Sequence, residues 1–239
     1  MKKSTLLGVI TLISFSTFAQ NKGDKGSGIG FGVKAGVTFA NFASFNSGLG
    51  TPDPLTTNSV TSFYVGGVVN IPVGSMFAVQ PGLTLIGKGA NTVPTAATSA
   101  SGATGGIKET PWYLEVPVNV TVNFEAGPGK IFVGAGPYLG FGLFGKHTNS
   151  FLVNGAAQPG TKASGNTKFG TNSATDSSND LKTLDFGLNF LLGYQLKNGF
   201  SINGGYSLGL TNISPDAGIA GNTSSYKNGV FSVGLGFAF

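Results

Sequence analysis

The stretch Trp112-Tyr113-Leu114-Glu115-Val116-Pro117-Val118-Asn119-Val120-Thr121-Val122-Asn123-Phe124 decides the architecture. Every even position is apolar, from Trp112 to Phe124. The odd positions carry Tyr113, Glu115, Asn119, Thr121 and Asn123. Side chains of an extended chain point alternately to opposite faces, so a period of two describes a strand with two different surroundings. Six of the seven apolar residues are the valines and aromatics that favour a pleated surface. A helix would scatter this pattern around its circumference.

The same alternation recurs on both sides in seven further blocks. Before it, Ile29, Phe31, Val33, Val37 and Phe39 oppose Gly30, Gly32, Lys34, Gly36 and Thr38. Phe63, Val65, Val69 and Ile71 oppose Ser62, Tyr64, Gly66 and Asn70, and Phe77, Val79, Leu83 and Leu85 oppose Ala78, Gln80, Gly82 and Thr84. After it, Ile131, Val133, Leu139, Phe141 and Leu143 oppose Gly134, Gly136, Tyr138, Gly140 and Gly142. Leu184, Phe186, Leu188, Phe190 and Leu192 oppose Asp185, Gly187, Asn189 and Gly193. Two more blocks run over Phe200–Leu210 and Phe231–Phe239. Blocks of this length suit strands that cross a bilayer at a tilt.

Connections alternate too. Long Gly/Ser/Thr/Asn-rich links cover 41–61, 89–110, 146–182 and 213–227, and short turns lie around Gly74, Gly127 and Asn198-Gly199. An antiparallel meander with long links at one rim and tight turns at the other is the plan of an outer-membrane barrel. The sequence therefore predicts an all-β fold, an eight-stranded antiparallel up-and-down transmembrane β-barrel over residues 28–239. The link 146–182 is nearly free of bulky apolar residues and is expected to be mobile, shielding the outer rim.

Composition agrees. Glycine numbers 40 of 239 residues, against a usual ~7%, and charged residues make up 10%, against ~25% in soluble domains. A water-facing surface needs many more charges. The narrow interior of eight strands is only just wide enough for ordinary side chains, so the bulky apolar faces cannot all turn inward. They face lipid, and the glycine-rich faces line the lumen. Aromatic residues near the block ends, Phe77, Phe124, Phe200, Phe237 and Phe239 at one rim and Phe39, Phe63 and Trp112 at the other, fit interfacial girdles. Beyond the N-terminus no run of about 18 apolar residues exists for a helical span.

Residues 1–19 read as a signal peptide: basic Lys2-Lys3, an apolar Leu6–Phe18 core and a small-residue cleavage site at Ala19. Residues 20–27 form a polar tether. The expected address is the cell outer membrane, with the short turns on the periplasmic side. Cysteine is absent, which excludes disulfides, thiolate metal sites and thiol nucleophiles. The net charge of +5 is small and unclustered, so no nucleic-acid partner is expected.

The chain resembles the PorT-like outer-membrane β-barrel proteins. The resemblance rests on Phe31-Gly32-Val33-Lys34-Ala35-Gly36-Val37, Val79-Gln80-Pro81-Gly82-Leu83, Tyr113-Leu114-Glu115-Val116-Pro117-Val118 and Gly136-Pro137-Tyr138-Leu139-Gly140. It continues in Asp185-Phe186-Gly187-Leu188 and Tyr206–Ile213. The terminal strand ending at Phe239 is similar to the signal recognised by the outer-membrane insertion machinery. The chain departs from the family at Gly82, where an acidic residue is frequent, and in lacking arginine in its last strands. The resemblance implies fold and location, not one activity.

The candidate chemistry is sparse. Lys34, Glu115 and Asp185 project into the lumen, with Lys88 just beyond block three as a further charge, and buried charges must pair or become neutral. A structural polar network of Lys34, Gln80, Glu115, Asn119, Tyr138 and Asp185 is expected, and Lys34→Met is expected to lower stability. An ion-conducting constriction is the sharper alternative. Pro81, Pro117 and Pro137 lie inside adjacent strands, where each removes a ladder donor, and a lumen-side bulge or water-filled gap is expected there. His147 is the single histidine, placed at the outer end of block five. A loop histidine is ordinarily solvated, and no catalytic, cofactor or metal set is assigned. The expected role is non-enzymatic, structural or interactive, for a monomer in outer-membrane lipid. A narrow pore or carrier for small solutes or lipid-like ligands, or a membrane acyl hydrolase or transferase, is the alternative.

Overall fold

The computed structural model describes residues 28–157, 163–173, 178–216 and 221–239. The expected signal peptide and tether lie outside them. Eight long strands follow in order: β1 Gly30–Asn46, β2 Val60–Val73, β3 Phe77–Gly87, β4 Ile107–Ala126, β5 Gly129–Asn149, β6 Leu184–Leu196, β7 Phe200–Gly209 and β8 Ser225–Ala238. Each pairs antiparallel with the next, and β8 returns to β1, from Gly32 opposite Ala238 to Asn46 opposite Ser225. The ring is closed. Closure leaves no unpaired edge, the condition for a sheet to stand in hydrocarbon.

The two faces separate as their residues dictate. Phe31, Val33, Phe63, Val65, Leu83, Val118, Val120, Phe190 and Leu235 all point outward and are exposed on the isolated chain. Inward, the register Gly66–Lys34–Gly236 sets glycine on both sides of one lysine. At the short-turn rim, Gly74 and Gly199 adopt φ of 84° and 94°, a left-handed geometry that tight hairpin turns demand and side chains resist. Phe200, Phe237 and Phe239 meet edge to face there, at centroid distances of 5.0 and 5.2 Å.

The prolines interrupt the ladder without bending it. Pairing between β3 and β4 skips from Pro81/Val118 to Thr84/Glu115, and between β4 and β5 from Pro117/Tyr138 to Val120/Ala135, with the register kept on either side. The expected bulge is therefore not at the prolines. Register shifts occur instead near the long-loop rim, at Phe42/Ser44 and Trp112/Tyr113.

The long links are more ordered than their composition suggests. β1, β4 and β5 run well past the apolar blocks, because above the membrane both faces are wet and alternation fades while the ladder continues. Leu55–Asn58 pairs with Ala90–Pro94, and Ala103–Thr104, Leu152–Val153 and Ala156–Ala157 form a second small sheet. One short helix, Ala96–Ala100, is capped by Thr95. Within 146–182, expected to be mobile, Gly165–Asn166 adds to β5 opposite His147 and Lys146, and Phe169 bridges to Leu181. Phe42, Ala90, Leu181 and Ile213 form a buried cluster with Phe45, Phe169 and Tyr226 packed on it. Tyr226 stacks on Phe42 and on Phe45, each at 5.4 Å. This cluster caps the barrel.

Candidate functional site

The lumen is the candidate site, and its centre is Lys88, just past the end of β3. Counting Ala78, Gln80, Gly82, Thr84 and Ile86 along β3 keeps it on the inward face. Its ammonium lies 2.5 Å from Glu115 of β4 and 2.7 Å from Asp185 of β6. Lys88 and Asp185 have no exposure at all, and Glu115 has 3%. Tyr138 of β5 and Asn228 of β8 donate to the same Asp185 oxygen at 3.1 and 2.9 Å. The ammonium also sits 4.3 Å from the Tyr138 ring centre and 5.1 Å from that of Tyr113. Four strands, β4, β5, β6 and β8, and the β3 exit thus converge on one ion cluster. A buried charge is tolerated only with such company.

Glycine makes the room. A Cβ on Gly187 would stand 2.6 Å from the Tyr138 ring, and one on Gly142 would strike Phe169. Phe169 descends from the loop cap and meets Tyr113 edge-on at 5.6 Å. Above Tyr113, its hydroxyl donates to the Lys182 carbonyl at 3.5 Å. The plug is thus tied to the cap.

Below the plug the character changes. A cavity of about 60 Å³ is lined by Lys34, Thr84, Glu115, Asn119 and Asn189 among others, and a wider vestibule of about 280 Å³ continues to the short-turn rim. Tyr64 donates to Asn203 at 2.8 Å and Gln80 donates to Asn70 at 2.9 Å across the wall.

The six residues singled out from sequence divide between these levels. Glu115, Tyr138 and Asp185 gather at the plug, whereas Lys34, Gln80 and Asn119 line the vestibule. Lys34 touches neither carboxylate within ion-pair distance; its ammonium lies 5.9 Å from the Tyr64 ring centre. The residue that sequence reasoning left marginal is the central one, Lys88. Parity along β3 was the signal that could have found it.

His147 is not solvated. It is 8% exposed, with Nδ1 3.4 Å from Asp180 and Nε2 2.5 Å from the Ala163 carbonyl. Nε2 is committed to the cap backbone, while Nδ1 makes no hydrogen bond and only stands within ion-pair distance of the Asp180 carboxylate. Among the described residues no group of three or more His, Cys, Asp or Glu could hold a metal ion.

A closed ring with an apolar exterior and a charged, tyrosine-lined interior is what a lipid-embedded barrel requires, and residues 18–214 match one family accordingly. The chain belongs to the outer membrane protein beta-barrel domain family. Membership places this outer-membrane β-barrel in the outer membrane. The barrel is also similar to solved structures. These include the outer membrane protein OprG from Pseudomonas aeruginosa, at 11% identity, covering 89% of this chain and 97% of that one, TM-score 0.49. Neisserial surface protein A gives 12% identity, coverage of 89% and 99%, and a TM-score of 0.42. Ail, the attachment invasion locus protein of Yersinia pestis, gives 10% identity, coverage of 88% and 99%, and a TM-score of 0.38. The comparison with curated proteins finds no match.

Proposed function

We propose that this barrel is a sealed, non-enzymatic outer-membrane protein whose role is structural or interactive: it holds an ordered loop cap outside the cell. The observation that carries this reading is the Lys88 plug. An ion or solute crossing the lumen would have to displace a lysine bound to Glu115 and Asp185, and then the apolar cluster of Phe42, Leu181 and Ile213 above it. Separating a buried ion pair costs about 3–5 kcal/mol. The barrier is built in.

In this reading the short turns face the periplasm, the leader 1–19 is removed on export, and the strand ending at Phe239 serves insertion. The narrower likeness to PorT-like barrels belongs to the same reading, as does the monomeric state. An acyl hydrolase or transferase mechanism finds no support at His147, because its Nε2 faces the Ala163 carbonyl instead of a serine hydroxyl. Single-channel recording of the purified protein in planar bilayers tests the proposal. Silence is expected at all applied potentials, and regular conductance steps would overturn it.

A further inference from the structure

We infer that the periplasm-facing vestibule is a binding site for a small hydroxylated anion, one bearing a phosphate or carboxylate head, with Lys34 as its anchor. The inference goes beyond the sealed-barrel reading, since a blind pocket binds without conducting.

Two observations carry it. First, Lys34 of β1 is half-buried in the vestibule with no hydrogen bond or ion pair to another described residue. Its register neighbours, Gly66 and Gly236, set no side chain beside it. The carboxylate across the smaller cavity, Glu115, is already bound by Lys88. A lysine ammonium presents three N–H donors, and leaving them unmet in a confined space is costly. Second, Asn119, 3% exposed, lines the same vestibule with an amide oxygen that has no hydrogen-bond partner.

The remaining lining defines the class of ligand. Lys130 stands in the wall as a second cation, and Asn123, Gln195 and Asn203 add amides that both donate and accept. Among the described residues no Asp or Glu lines the vestibule. Cations select an anionic head, and the amide belt suits hydroxyls. A volume of about 280 Å³ sits at the lower end of ordinary ligand pockets and limits the occupant to a small molecule or a single headgroup.

The test uses the folded full chain in nanodiscs of neutral lipid, titrated calorimetrically with glycerol 3-phosphate, and with glycerol as the uncharged control. Saturable binding of glycerol 3-phosphate alone is expected. It should weaken by at least about tenfold in Lys34→Gln, the loss of one charge-assisted hydrogen bond, and persist in Lys34→Arg. Heat-modifiable gel migration of each variant verifies that the barrel is folded. Nanodiscs doped with phosphatidylglycerol separate the sources: competition by the lipid identifies a headgroup as occupant, and unchanged affinity identifies a soluble anion. Absence of saturable binding in both disc types, or equal binding by Lys34→Gln, would overturn the inference.

Discussion

The two halves of this lumen share one closed sheet and the same strand parity, yet they solve opposite problems. In the half nearer the loops, Lys88 pairs with Glu115 and Asp185, Tyr138 and Asn228 donate to Asp185, and glycines at 142 and 187 let Phe169 and Tyr138 fill the bore. In the half nearer the short turns, comparable glycines on either side of Lys34 leave space that no described side chain takes. Glycine in a barrel interior therefore has no single meaning. It makes room for a plug where bulky residues face it, and a pocket where small polar ones do.

The contrast can be broken most sharply by exchanging its two lysines. Lys88→Met strands two buried carboxylates and should cost about 3–5 kcal/mol in urea unfolding from detergent. Lys34→Met removes a charge whose ammonium makes no hydrogen bond or ion pair to another described residue, and should change stability by no more than about 1 kcal/mol. Equal losses would mean that the lumen is one network, as the sequence alone suggested. Next in size is the lipid face. Leu83→Lys, on the outside of β3, should cost about 2–4 kcal/mol, whereas Asn119→Ala on the vestibule wall of β4 should cost less than the Leu83 change.

Glycine substitutions come third. Gly187→Val drives a side chain against the Tyr138 ring and should destabilise by about 1–3 kcal/mol, as overpacking does. Gly30→Ala at the lower rim meets only the Asn70 Cβ, at 3.9 Å, and should leave the melting temperature unchanged. The smallest effect is electrostatic and lies in the cap. Burial pushes the Asp53 carboxyl up, but hydrogen bonds from the Ser47 amide and hydroxyl and the Leu55 amide outweigh it and hold the carboxyl below its ordinary 3.8. A depressed folded value stabilises the turn above that pH, and the contribution is lost as pH falls through the folded value. The amide resonances of Ser47 and Leu55 should therefore titrate with a midpoint below 3.8; a midpoint above it would contradict the geometry.

The membrane-spanning part of the fold was legible because lipid and lumen impose different demands on alternate residues, and Trp112–Phe124 records both without a break. Lys88 was hard to read because Ile86 puts an apolar side chain on the lumen face just before it, so the alternation looks finished two residues early. The loop cap was hidden for a different reason. Phe42, Phe169, Leu181 and Ile213 are far apart in the chain and sit among polar residues, so no local period marks them as one cluster. Sequence grouped Lys34 with Glu115 and Asp185 by face alone. Height along the barrel axis, which separates them, depends on strand register.

Sided labelling tests the central claim most directly, and the absence of cysteine from the chain makes it clean. Ser201→Cys places a thiol in the vestibule and Ser62→Cys one on β2 opposite Thr38 and beside Gly87, at the level of the plug. In oriented proteoliposomes, a membrane-impermeant maleimide should reach position 201 from the short-turn side alone. It should not reach position 62 from that side. Labelling of position 201 from the loop side, or of position 62 from the short-turn side, would show an open bore and contradict the sealed barrel.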